Sequence, residues 1–232
     1  MKTLIVKVLF IKIYLLFIQG CAILSVSDIQ SAKLINKGEI EITPSVSTSA
    51  AISKQYGIQC AYGLSKNLNL RMRIEKNQPI YTHPYNENEI PFYFIPSTHL
   101  SVGLKYNIKK DKIALYLPFS HTTFDWTDFY NQFEVNSTDF KEELDFFFIN
   151  SISFLEPTLL FSLSGKYLEL NPAIKIIFNK EILLNVLNVG LGFSTNYKKW
   201  ALRPEFGILL FTNPDFAAIP SAGLGLSINL NN

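Results

Sequence analysis

The sequence predicts an all-β fold, namely a single antiparallel, up-and-down transmembrane β-barrel of about ten strands, within a range of roughly 8 to 12. Over residues 38–230, segments of roughly ten residues alternate apolar side chains with polar or very small ones. The connections between these segments alternate between short and long. Although 48% of the 232 residues are hydrophobic, no uninterrupted apolar run reaches the length of about 18 residues that a spanning helix needs.

Ten candidate strands show this period of two. They cover residues 38–48, 55–64, 68–75, 98–108, 113–121, 153–163, 168–178, 184–194, 200–210 and 221–230. The connections 65–67, 109–112, 164–166 and 195–199 are short and polar, as tight turns require, whereas 76–97 and 122–152 are long. If the N-terminus is periplasmic, these short turns all face the periplasm and both long loops face outside, which is the asymmetry of outer-membrane barrels. The connection 179–183 is short for an external loop.

The composition of the polar face distinguishes a membrane barrel from a soluble barrel, in which the same alternation has its faces reversed. This face carries many residues with minimal side chains: Gly57, Ala61, Gly63, Gly190, Gly192, Gly207, Gly223 and Gly225. Glycine weakens a strand and has little use on a water-exposed surface, whereas a narrow lumen lacks room for large side chains. The apolar face is therefore predicted to contact lipid.

Charged residues of both signs fall on the predicted lumen face. They are Glu39, Glu41, Arg71, Arg73, Glu75, Lys105, Glu156, Lys175, Arg203 and Glu205. Because an isolated buried charge is very costly, we expect these groups to pair in a salt-bridged network that fills the lumen. The alternative is a narrow polar conduit or a charged binding cavity. A wide diffusion pore is not expected, because such pores have about 16 strands.

Four prolines, at positions 44, 157, 172 and 204, fall inside predicted strands. Each removes one hydrogen bond from the ladder, so they are expected at bulges or strand ends.

The N-terminus has the features of an export signal. Lys2, Lys7 and Lys12 precede the apolar stretch 13–18, and Ile18-Gln19-Gly20-Cys21 resembles the lipobox of bacterial lipoproteins. This resemblance implies a signal peptide at 1–20, lipidation of Cys21, an N-terminal periplasmic segment at 21–37 and a barrel domain at 38–232.

The two cysteines leave alternatives open. These are an ordinary or uncleaved signal with an incidental Cys21, or a disulfide between Cys21 and Cys60. If Cys21 carries lipid, Cys60 is expected to be a small buried hydrophobe.

His99 and Ser101 share one strand face, an arrangement that resembles the His and Ser pair of outer-membrane lipid A deacylases. However, the parity of Ser101 places it in the lumen, where a lipid ester would not easily reach. We therefore expect His99 to be a hydrogen-bonded residue of the lumen rather than a catalytic base, and no catalytic residue is predicted. No zinc motif, calcium loop or phosphate-binding glycine loop occurs, so neither metal nor cofactor is expected.

The long connection 122–150 interleaves aromatic rings with carboxylates. Trp126, Phe129 and Tyr130 are candidates for recognition of an external ligand or partner, because exposed apolar groups usually have a purpose. Alternatively, the rings fold the loop onto the barrel mouth.

Several segments resemble small outer-membrane β-barrel proteins of Gram-negative bacteria. They are Glu39-Ile40-Glu41-Ile42, the hairpin from Tyr56-Gly57-Ile58 to Leu70-Arg71-Met72-Arg73, and Ala222-Gly223-Leu224-Gly225-Leu226-Ser227-Ile228-Asn229-Leu230. The resemblance implies an outer-membrane location with both termini periplasmic, and contacts with outer-membrane lipids and the barrel assembly machinery. A nucleic-acid partner is not expected, because removal of residues 1–20 changes the formal charge from +2 to −1.

The expected function is a structural, interaction or narrow-conduit role without enzymatic activity. Two alternatives stay open. One is a lipid-anchored soluble periplasmic barrel that binds an apolar ligand, and the other is an outer-membrane lipid-modifying hydrolase.

Overall fold

The computed structural model describes residues 30–49, 53–79, 96–125, 151–179, 184–195, 199–211 and 219–230. These residues form twelve β-strands. They are β1 (Ile40–Ser49), β2 (Ser53–Ser65), β3 (Leu68–Pro79), β4 (Ser97–Lys109), β5 (Ile113–Phe124), β6 (Ser151–Leu155), β7 (Thr158–Phe161), β8 (Leu163–Ser164), β9 (Leu168–Asn179), β10 (Leu184–Thr195), β11 (Trp200–Phe211) and β12 (Ile219–Asn229). Within this part of the chain, no helix is long and apolar enough to cross a membrane.

The strands form one closed antiparallel sheet. Consecutive strands pair along the sheet, and β12 returns to pair with β1, from Glu41 opposite Asn229 to Ser49 opposite Ser221. The short strands β6, β7 and β8 share a single position, because β5 pairs with β6 and β7 while β9 pairs with all three. The barrel therefore has ten strand positions, which confirms the predicted fold class.

The predicted strand 153–163 is interrupted at Pro157, which lies between β6 and β7. The interruption is local, because the amide of Glu156 still donates to the carbonyl of Pro118 and the amide of Ile176 donates to that of Pro157. The other three prolines lie within continuous strands and are paired on one side. On the other side, the β1–β12 pairing skips Pro44 and the β10–β11 pairing ends at Glu205, next to Pro204. The strands themselves therefore neither end nor bulge at these three positions, although at two of them the pairing with one neighbour is interrupted or ends. Each proline removes one donor, but the remaining hydrogen bonds preserve the register.

Burial alternates along β4 from Ser97 to Ile108. Polar residues such as His99 and Lys105 are buried in the lumen, whereas Leu100 is 46% and Ile108 57% exposed on the outer face. From Leu100 to Ile108 the strand rises about 27 Å, which at a tilt of about 40° corresponds to about 21 Å along the barrel axis. This height approaches the apolar band of about 25 Å on transmembrane barrels.

The two ends of the barrel differ. The tight connections β2–β3, β4–β5, β8–β9 and β10–β11 lie at one end, together with the start of β1 and the end of β12. We call this the short-turn end and the opposite one the long-loop end.

Residues 30–37 enter the lumen from the short-turn end, where Asn36 and Lys37 are exposed while Gln30, Ser31 and Ala32 are buried. The close approach of this segment to β2 requires Gly63, because a Cβ there would lie 1.9 Å from the carbonyl oxygen of Asn36. The sequence pattern assigned this stretch to a periplasmic segment and did not indicate that part of it lies inside the barrel.

Candidate functional site

The lumen holds two clusters of charged side chains, and the first lies towards the short-turn end. The carboxylate of Glu41 on β1 accepts hydrogen bonds from Arg71 on β3 at 3.0 Å and from Arg203 on β11 at 2.9 Å. One strand separates β1 from each of the other two strands, so this carboxylate connects both neighbouring parts of the wall. Such charge-assisted bonds are among the stronger ones in proteins.

Lys105 on β4 attaches the N-terminal segment to the barrel wall. Its ammonium group donates to the backbone carbonyls of Ser31 and of Lys33, the second at 2.7 Å. Arg71 donates to the side-chain oxygen of Gln30. The cations of the wall therefore bind the segment through neutral oxygens.

Another part of the wall holds the same segment through β9 and the residue that follows β7. The hydroxyl of Ser162 lies 3.0 Å from the hydroxyl of Ser31 and accepts the amide hydrogen of Ala32 at 2.8 Å. Lys33 forms an ion pair with Glu169. Segment 30–33 is thus attached to both sides of the lumen.

Ala32 also packs into an apolar cluster inside the barrel, formed with Ala114, Tyr116, Leu160 and Ala173. Beside the segment, a cavity of about 210 Å³ is lined by charged residues that include Lys33, Glu41, Glu169 and Arg203. The sequence pattern did not predict the apolar cluster, because its members are interspersed with polar residues on the lumen face.

The second cluster is centred on Glu156, which follows β6. Its carboxylate lies 3.4 Å from Arg73 on β3, 3.4 Å from Lys175 on β9 and 3.6 Å from the His99 ring on β4. Arg73 also lies 3.8 Å from Glu75. A single carboxylate therefore connects side chains from opposite walls of the lumen.

The ring of His99 is held by two further contacts. Nε2 lies 3.0 Å from the guanidinium of Arg73, and Nδ1 lies 2.9 Å from the hydroxyl of Thr122. A guanidinium can only donate, so Nε2 accepts and the Nδ1 hydrogen is available to Thr122. Neither of these contacts leads to Ser101, whose hydroxyl is fully buried and has no hydrogen-bond partner among the described residues. The structure thus shows no base positioned on that hydroxyl.

Two further predicted lumen charges have separate surroundings. Glu205 is buried on β11, and its carboxylate lies near Gly190 on the adjacent strand. Glu39 is half-buried at the mouth, where Asn36 and Asn229 donate to its carboxylate. The hydrogen bond from the Asn36 side chain lowers the pKa of Glu39 below its ordinary value of 4.5.

The remaining predictions concern cysteines, loop aromatics and metals. Cys60 is exposed on the outer face of β2, so its expected burial is wrong, because an outward position in this barrel has no core to enter. Cys21, the signal peptide and the loop residues Trp126, Phe129 and Tyr130 lie outside the described residues. Within the described ranges, no group of His, Cys, Asp and Glu could hold a metal ion.

Sequence reasoning missed the residues that attach segment 30–33 to the wall. Glu169 could have been found, because it has the lumen parity of β9 and carries a charge. By contrast, Gln30, Ser31 and Lys33 belong to a stretch without alternation, so no local signal indicates that they enter the barrel.

Comparison with known proteins extends these observations at the level of the fold. No known protein family matches the sequence, and no curated protein matches it. Among solved structures, LpxR from Salmonella typhimurium is 7% identical, with a TM-score of 0.50, over 81% of this chain and 99% of that one. The N-terminal β-barrel domain of Pseudomonas aeruginosa OprF is 11% identical over 84% and 100% of the two chains, with a TM-score of 0.35. The outer membrane channel DcaP of Acinetobacter baumannii is 10% identical over 92% and 69%, with a TM-score of 0.34. At these identities the similarity concerns architecture alone: the chain has the fold of an outer-membrane β-barrel.

Proposed function

We propose that this protein is a bacterial outer-membrane β-barrel with a closed lumen, which acts as a structural or interaction protein rather than as an enzyme or an open pore. The observation that carries this proposal is the attachment of segment 30–33 inside the barrel by Lys105 and Glu169. Together with the Glu41 and Glu156 clusters, the segment occupies the space that a solute would need.

The outer face supports membrane insertion. Large apolar side chains such as Leu104, Met72 and Ile176 are between 45% and 48% exposed there, whereas charged groups are mainly inside or at the ends. A soluble barrel that binds an apolar ligand would have the reverse arrangement. The polar interior described above therefore favours the transmembrane alternative.

The remaining parts of the proposal rest on the sequence pattern. Both chain termini and the short-turn end face the periplasm, Cys21 carries a lipid, and the long loops face outside, where Trp126, Phe129 and Tyr130 contact a partner. During biogenesis the strands are inserted by the barrel assembly machinery. Insertion then places the outer face in outer-membrane lipid.

Conductance across planar lipid bilayers tests whether the lumen is closed. We expect no steady channel from the wild-type protein, and conducting events after deletion of residues 30–36, because the deletion removes the segment from the lumen. Steady wild-type conductance would refute the closed lumen. If the deletion variant did not conduct, the side-chain clusters alone would suffice to close the barrel.

Electrophoresis with and without boiling tests the barrel separately. A closed membrane barrel stays folded in detergent until it is heated, because no strand has a free edge. We expect both the wild type and Cys21→Ala to remain in the outer-membrane fraction and to migrate differently after boiling. A soluble Cys21→Ala protein without a heat shift would instead indicate an anchored periplasmic barrel.

A further inference from the structure

Exposed lysines form a ring at the short-turn end of the barrel. We define the lysine rim as Lys37, Lys66, Lys109, Lys110, Lys112, Lys166 and Lys199. Each tight connection contributes at least one of them, and Lys37 precedes β1. Among the described residues in these connections, Asp111 is the one exposed acid. The rim is therefore strongly positive, in contrast to the lumen, where charges of both signs are paired.

Aromatic side chains lie directly above this rim on the outer face. Tyr62, Tyr106 and Trp200 are each between 43% and 51% exposed. Tyr167 is also exposed, and the ammonium of Lys166 lies 5.0 Å from the centre of its ring. In transmembrane barrels such rings occupy the level of the lipid head groups.

The spacing along the chain places the lysines just beyond that level. Lys66 follows Tyr62 by four positions, Lys109 follows Tyr106 by three, and Lys199 is adjacent to Trp200. A lysine stem reaches several ångströms, so the ammonium groups can contact phosphates while the stems cover apolar surface. The long-loop end differs, because its exposed lysines in the described chain are Lys54 and Lys76 on the strands.

We propose that the lysine rim binds the phosphate groups of anionic phospholipids in the leaflet that surrounds the short-turn end. This inference rests on the proposed membrane insertion of the barrel. The binding would select anionic over zwitterionic lipids around this end of the protein, because lysines near a membrane surface attract negative head groups.

Trp200 provides a local reporter for this test. The chain has two tryptophans, so in a Trp126→Phe background the fluorescence comes from Trp200 alone. The protein is reconstituted in vesicles that contain phosphatidylcholine and phosphatidylglycerol in equal amounts, with either one or the other lipid brominated near the head group. We expect brominated phosphatidylglycerol to quench Trp200 more strongly than brominated phosphatidylcholine. High salt should reduce the difference, because exposed charges are screened.

Two matched double variants test whether the lipid preference arises from the lysine rim. Lys37→Gln with Lys199→Gln removes two rim charges close to Trp200, since Lys199 is adjacent to it and β1 lies two strand positions from β11. We expect the apparent preference for phosphatidylglycerol to fall roughly fivefold for each lysine lost. Lys54→Gln with Lys76→Gln removes the same charge at the other end and should leave quenching of Trp200 unchanged. Heat-shift electrophoresis checks that both variants form the folded barrel.

The outcomes separate this inference from the proposed function. Equal quenching by the two brominated lipids, or equal effects of the two double variants, would overturn the lysine-rim proposal while membrane insertion stands. Absence of quenching by either lipid would contradict membrane insertion itself.

Discussion

The ammonium group of Lys105 donates a hydrogen bond to the backbone carbonyl oxygen of Lys33 at 2.7 Å. Lys105 is only 1% exposed, so this lysine lies inside the barrel and holds a segment that precedes β1. The contact joins two parts of the chain that are 72 residues apart. Because this hydrogen bond fixes the segment in the lumen, its loss should make the segment more accessible to water-soluble reagents.

Substitution of Lys105 by methionine should loosen segment 30–33. The carbonyls of Ser31 and Lys33 would lose their donor, at a cost of about 1–3 kcal/mol for a buried acceptor. We expect a cysteine placed at Ser31 to react roughly tenfold faster with a water-soluble thiol reagent in this variant. The measurement uses a Cys21→Ala, Cys60→Ser background. The exposed Lys112→Met serves as the control, and an equal acceleration in the control would contradict the proposed role.

Replacement of Glu156 by glutamine should strongly destabilise the barrel. Arg73 and Lys175 would then lose the Glu156 carboxylate that they share, and breaking such a buried network costs about 3–5 kcal/mol. The measurement is urea unfolding in detergent, monitored by loss of the fast-migrating form. Glu75→Gln should cost less, since its pair with Arg73 is longer, at 3.8 Å, and joins two residues of the same strand, β3. Addition of Lys175→Met to Glu156→Gln should restore part of the stability, and no restoration would argue against charge pairing as the cause.

An arginine at Val102 tests the lipid-facing surface. Val102 is exposed in the middle of β4, where an arginine in a bilayer costs about 2–4 kcal/mol. The same change at Ile108, near the short-turn end, should cost about 0–1 kcal/mol. Unfolding free energies measured in lipid vesicles provide the comparison. If neither arginine had any effect, the outer face would be solvated by water.

Stability near the barrel mouth should depend on the ionisation of Glu39. Its pKa is lowered in the folded protein by the hydrogen bond from Asn36, so its contribution is present above the unfolded value near 4.5 and disappears as the pH falls through the folded value. We expect the heat-shift temperatures of the wild type and Glu39→Gln to differ at neutral pH and to converge in acid, once the pH has fallen through the folded pKa of Glu39. A difference that persists in acid would exclude this carboxylate as the cause.

Substitution of Ser101 by alanine should leave outer-membrane lipid chemistry unchanged. Ser101 is fully buried, and the contacts of His99 go to Arg73, Glu156 and Thr122 instead. Mass spectra of lipids from cells that express the wild type, Ser101→Ala or no protein should coincide. A lipid product that depends on both the protein and the serine hydroxyl would favour the hydrolase alternative.

Much of the fold could be predicted from local pattern. Side chains alternate across a strand, so the alternation in β4 shows both that a strand exists and which residues face inward. The ten predicted segments correspond to the ten strand positions for the same reason. The effect of proline is the detail that local pattern did not predict. Pro157 interrupts its strand position, whereas the prolines at positions 44, 172 and 204 lie within continuous strands.

The candidate site was predictable in part. The parity of Arg73, Glu156 and Lys175 placed all three in the lumen, but parity contains no information about which charge meets which. That pairing depends on barrel closure and strand register, which bring β3, β9 and the residue after β6 towards one point. The attachment of segment 30–33 depends in addition on a lumen of the right width, which no local pattern encodes.

The sequence by itself therefore determined the strand positions, their inward and outward faces and the polar character of the interior, because a period of two is a local property of the backbone. The tertiary structure decided that Glu41 pairs with Arg71 and Arg203, that Glu156 joins opposite walls, and that Lys105 holds the segment before β1 inside the barrel. These contacts connect residues distant in sequence, and they arise only when the sheet closes around a lumen narrow enough for side chains to meet.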